Sequence, residues 1–197
     1  RRATARSRTG TGARRSSTGA AKPGLGGRRP AHTAAMTVTV TLAVPHRWTT
    51  RSDPARGLVL LARAPTTPAS GLAPELVVRT TPVAGDLTGW RAAALAALAT
   101  QLDALEVEDG DQFELDGRPV AYHRLGHRYG ALEVVAEQWA WLVDGVGVTL
   151  TGSVARCDYA DYGDLFEEVA ATLVPSVSAG SGPGLAPGSV PLVAGRS

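Results

Sequence analysis

The run "EQWAWLVDGVGVTLTG", residues 137–152, sets the tightest limit on what this chain can fold into, because Asp144-Gly145 separates two alternating apolar stretches. That dipeptide favours a two-residue turn with positive φ at both positions, the turn whose twist suits the strands it joins. Such a turn dictates a register: Val143 opposite Val146, Trp141 opposite Val148, Trp139 opposite Leu150, and Glu137 opposite Gly152. Side chains alternate across a strand, so Trp139, Trp141, Val143, Val146, Val148 and Leu150 share one apolar face. The tryptophans are expected to be packed core, beneath a helix such as the one carrying Trp90. The other face presents Gln138, Ala140 and Leu142 beside Thr149, Thr151 and Gly147, small enough to let a second layer approach closely. Either a helix of the chain or a guest is expected there. The apolar face turns acidic where Glu133 and Glu137 flank Val135. Buried unpaired carboxylates cost several kcal/mol, so that end is expected to be exposed, with an arginine pair or a site as the alternatives.

Elsewhere the patterning gives an α+β chain. Residues 37–44 alternate as a strand that "VPHRW" breaks at Pro45, and further strands are expected at 57–64 and 75–81. Leu87, Trp90, Ala94, Leu98, Leu102 and Leu105 recur at helical steps through an alanine-rich run, with Thr88 or Asp86 as cap. The second half reads as an antiparallel meander with Asp-Gly hairpins in "FELDGRPVAY" and "WLVDGVGV". A closing helix begins near Asp158 or Asp161 and places Tyr162, Leu165, Phe166, Val169 and Leu173 on one face.

Charge divides the chain sharply. Residues 1–35 hold nine of the 20 Lys+Arg and none of the 18 Asp+Glu, so 36–197 carries a net charge of −7 although the whole is +2. The basic segment lacks apolar residues for a core and is expected to be disordered. Met36, the only methionine, stands directly before the first strand and is the expected true start, with 1–35 an over-extended gene start. A basic arm touching phosphates and an ordinary tail are the alternatives. The acidic remainder argues against a nucleic-acid partner. Residues 176–197 are Gly/Pro/Ser-rich and read as a disordered tail, leaving 36–175 as the single domain. No apolar run reaches the roughly 18 residues of a membrane span.

Reactive constellations are sparse. His123 and His127 share strand parity but lie about 13 Å apart when extended, too far for one metal ion. Cys157 has no partner for a disulfide and reads as inert. The carboxylates of "LEVEDGDQFELDG", 105–117, read as a solvated acidic loop that could dock a basic partner. No phosphate-binding glycine loop stands after a strand, so no cofactor, metal or catalytic residues are expected, with a hydrolase using Glu133 or Glu137 the minor alternative.

The order strand, "VPHRW", two strands, Trp-bearing helix, four-strand meander and closing helix resembles the PsbP-like superfamily, which includes the DcrB and LpqN-type bacterial proteins; Pro45 and Trp48 carry the residue-level match. The resemblance implies a three-layer α/β/α sandwich with a mostly antiparallel sheet and two main helices. It also implies action by binding, some relatives being lipoproteins and others cytosolic adaptors or chaperones for secretion cargo. Without a lipidated cysteine, the chain is expected to be a cytoplasmic, non-enzymatic adaptor. On this reading Gln138, Ala140, Leu142, Thr149 and Thr151 shield an apolar helix or peptide of a protein partner. The alternative is a carrier holding a lipid or small apolar molecule in a cavity between sheet and helix, lined by Trp139 and Trp141.

Overall fold

The structure, a computed structural model, describes residues 36–179 and 193–194. The expectations for 1–35 and for most of the C-terminal tail concern residues outside that range. The first half contains β1 (Met36–Thr41), β2 (Ala43–Val44), β3 (Thr49–Asp53), β4 (Leu58–Arg63), β5 (Glu75–Pro82) and α1 (Leu87–Ala99). The second half contains β6 (Asp103–Leu115), β7 (Arg118–Tyr129), β8 (Leu132–Val143), β9 (Val146–Ala155), α2 (Tyr159–Ala171), β10 (Val174–Ala179) and β11 (Val193–Ala194). Seven strands form an antiparallel sheet in the order β3-β4-β5-β9-β8-β7-β6. β1 and β10 pair separately as an antiparallel ribbon, and β11 pairs in parallel with β2. β10 runs to Ala179, past the boundary expected at 175; the Val/Ser alternation there is a strand because β1 supplies its partner.

The β8–β9 hairpin has the register that Asp144-Gly145 dictates, with Trp141 against Val148, Trp139 against Leu150 and Glu137 against Gly152. Asp144 and Gly145 take φ of 49° and 76°, and Asp116 and Gly117 at the β6–β7 turn take 52° and 71°. A third tight turn, at Gly130-Ala131, joins β7 to β8 and pairs Tyr129 with Leu132. The meander is therefore continuous from β6 to β9.

Each sheet face receives one helix, which makes three layers. α2 lies on the tryptophan face: Phe166, Val169 and Ala170 are buried with Trp139, Trp141, Val148 and Leu150, and Val40 and Leu42 from the start of the chain complete this core. Gly152 makes the approach possible, because a Cβ there would come within 2.5 Å of the Phe166 ring. α1 lies on the opposite face, where the Trp90 ring occupies the space a side chain at Gly147 would need. The helix expected above the tryptophans thus covers the small-residue face instead. Parity decides which residues share a face, but which helix lands on it depends on the long connections.

α1 starts where Asp86 accepts a hydrogen bond from the Gly89 amide at 2.7 Å, an N-cap, and runs through the alanines to Ala99. Leu102 and Leu105 continue its spacing but fall outside it: the helix ends at Ala99, and Leu105 lies in β6, at the irregularity between Asp103 and Glu106 where Ala104 takes φ 51°. β6 is the edge of the sheet and includes the acidic stretch expected to be a loop. An edge strand needs only one partner and leaves its carboxylates solvated, and charge on an edge discourages pairing with other chains. β3, "TTRSD", is the opposite edge, polar and exposed apart from Asp53, and without apolar alternation it carries no strand signal in the sequence. Pro45 and Trp48 form the turn between β2 and β3, with the Trp48 amide bonded to the Pro45 carbonyl at 3.2 Å and Trp48 packed on the core.

Candidate functional site

Three features distinguish the two faces. The first is a groove on the tryptophan face. α2 packs over β8 and β9 and stops short of the edge strand β6, leaving Phe113 37% exposed. Between them is a cavity of about 290 Å³. Tyr122 and Trp139, opposite one another in register, form its floor with ring centroids 5.4 Å apart and planes tilted by 46°. Phe113 and Leu115 form one wall; Ala170 and Ala171 of α2 form the other, with Glu167 at the rim. Trp141 does not line this space and is fully buried in the core, so only one of the two tryptophans expected at a cavity is there.

The second feature is a buried carboxyl next to the groove. Glu137 is 1% exposed, against the expectation of an open acidic end. Its Oε1 accepts hydrogen bonds from the hydroxyls of Tyr122, at 2.7 Å, and Tyr159, at 2.8 Å, so β7, β8 and the start of α2 meet on one oxygen. Burial first, then the bond to Glu137, pushes both hydroxyls above the ordinary tyrosine range and keeps them protonated donors. Its Oε2 has no partner among the described residues. Glu133 is exposed as expected and pairs with Arg156 at 3.4 Å; Arg156 also binds Glu108, which meets Arg124 at 3.6 Å. This charged network surrounds a second opening of about 430 Å³ farther along β7. Glu133 and Glu137 stand four strand residues apart, about 13 Å, wider than the roughly 5–9.5 Å of hydrolytic carboxylate pairs.

The third feature is the small-residue face. Ala140 is fully buried, and Gln138, Leu142, Thr149 and Thr151 are half-buried. Arg91 of α1 is buried there: its Nη2 donates to Gln138 Oε1, and Gln138 Nε2 passes on a bond to Thr151 Oγ1 at 2.9 Å. Burial pushes Arg91 down to about 10, and burial together with Arg91 lowers His123. The proposed partner-binding residues are therefore gathered together by the register, and a helix of the same chain lies against them. His127 is also on β7, and no group of three or more metal-ligating side chains occurs among the described residues. Cys157 is exposed. No described helix is long and apolar enough to cross a membrane.

The sheet with one helix on each face defines an α+β sandwich of three layers. No family model matches the chain, and no curated protein matches at a significant level. Among solved structures it is similar to LpqN, involved in cell envelope biogenesis of Mycobacterium tuberculosis, with TM-score 0.58 and 12% identity over 74% of this chain and 87% of that one. It is similar to PA94, a putative regulator of unknown function from Pseudomonas aeruginosa, with TM-score 0.53 and 13% identity over 70% and 98%. The third is the cyanobacterial PsbP of Synechocystis, with TM-score 0.50 and 17% identity over 76% and 98%. The fold is PsbP-like, of the LpqN type.

Proposed function

We propose that this chain is a non-enzymatic binding protein that holds a small apolar molecule, or a short apolar chain, in the groove between α2 and the β6–β7 end of the sheet. The observation that carries this reading is the 290 Å³ opening floored by Tyr122 and Trp139. Its size lies near the lower end of ligand pockets, about 300–1,000 Å³, and suits an aliphatic chain of moderate length. A protein partner on Gln138, Ala140, Leu142, Thr149 and Thr151 has less support, because α1 lies on that face and Ala140 is inaccessible. The cytoplasmic location expected from the sequence draws no support from LpqN, whose described role is in the cell envelope.

Calorimetric titration of the full chain with 1-decanol tests the reading. Saturable one-to-one binding is expected, and Ala171→Phe, which fills the groove from an exposed position on α2, weakens it about ten-fold or more with the melting temperature retained. Decanol binding unaffected by that substitution, or no saturable binding at all, overturns it.

A further inference from the structure

We infer that the ligand of this groove is an organic cation, an alkylammonium group carrying an apolar chain, an inference that rests on the binding reading above. The argument is one of uncompensated charge. On the face that holds the groove, Arg124 and Arg156 are matched by carboxylates, while Arg118 bonds only a neutral carbonyl. Arg118 donates to the Pro175 carbonyl, Arg124 pairs with Glu108, and Arg156 pairs with Glu108 and Glu133. Arg128 is farther along β7, six residues from Tyr122, or about 20 Å.

The carboxyl groups near the groove are not matched in this way. Glu167 is the only charged residue of the lining and forms no ion pair among the described residues. Glu137, directly behind Tyr122, receives two tyrosine hydroxyls on one oxygen and nothing on the other, with Arg124 opposite it in register but in no ion pair with it. Asp111 faces Tyr122 across the β6–β7 pair and likewise has no cationic partner among the described residues.

The lining itself suits a soft cation. Phe113, Tyr122 and Trp139 supply three aromatic rings, and a substituted ammonium near ring faces is stabilised by their quadrupoles while losing little hydration. Donation from the Tyr122 hydroxyl to Glu137 adds electron density to that ring and strengthens the effect. An anionic headgroup would meet Glu167 and Asp111, two carboxylates without an ion pair among the described residues, against the single guanidinium of Arg118. A neutral one would leave the negative potential unused.

The test compares three amphiphiles with the same dodecyl chain, all below their micelle concentrations: dodecyltrimethylammonium, dodecyl maltoside and dodecyl sulfate. Calorimetry on the full chain and on Glu167→Gln reads both affinity and head preference. The cation is expected to bind about ten-fold or more tighter than the other two, with the gap shrinking in Glu167→Gln and with added salt. Equal affinity for all three, or a preference for sulfate, overturns the inference and leaves the apolar groove standing. A cation preference unchanged in Glu167→Gln also overturns it, since the preference then does not come from the carboxylate that lines the groove. If none of the three binds, the groove reading fails as well.

Discussion

Replacing Trp141 by alanine is expected to lower stability by about 3–5 kcal/mol, the largest loss of any single substitution considered. The indole is 1% exposed and is the largest fully buried side chain among the described residues, packed with Val120 and Val148 on the neighbouring strands and within the core that α2 covers. Removing it forfeits the transfer energy of the ring and leaves a cavity that three rigid strands cannot close. In chemical denaturation the midpoint is expected to fall at constant slope, and the melting temperature to drop by about 10 °C or more. A change within experimental scatter means that the ring is not packed as described.

Glu137→Ala is expected to cost about 2–4 kcal/mol, through a different mechanism. Tyr122 and Tyr159 each lose the acceptor of a hydroxyl held in a partly dry setting, and these two bonds tie α2 to β7 and β8. Glu137→Gln keeps an acceptor at Oε1 and is expected to cost under about 1.5 kcal/mol. The contrast between the two substitutions separates a lost acceptor from a lost charge. Equal losses in both, measured by denaturation at neutral pH, would falsify the hydrogen-bond explanation.

The tryptophan hairpin was legible because a two-residue turn leaves no freedom in pairing: once Asp144-Gly145 reverses the chain, every later pair follows. The same logic could have extended one strand further. Gly130, with φ 61°, begins an equally tight turn, and pairing outward from Tyr129 and Leu132 places Tyr122 opposite Trp139, the floor of the groove. The single glycine in "RYGALE" is a weaker turn signal than Asp-Gly. The burial of Glu137 is illegible for a related reason. Its burial is tolerable because of two tyrosines, one of which, Tyr159, arrives from α2 after another strand has intervened, and alternation along β8 contains no trace of it. The acidic run 105–117 reads as a loop because its charges break the apolar alternation of a strand, whereas an edge strand accommodates them. Which helix covers which face was the least legible feature, since it depends on Gly147 receiving Trp90 and Gly152 receiving Phe166, two packing choices that look alike in sequence.

The most direct measurement is a chemical-shift map of the isotopically labelled full chain as 1-decanol is added. Perturbations are expected to gather at the Trp139 indole, Tyr122, Phe113 and Ala171, on the side of the sheet that α2 covers. Shifts gathered instead at Ala140, Thr149, Thr151 and α1 would place the guest on the other side and contradict the assignment of the groove.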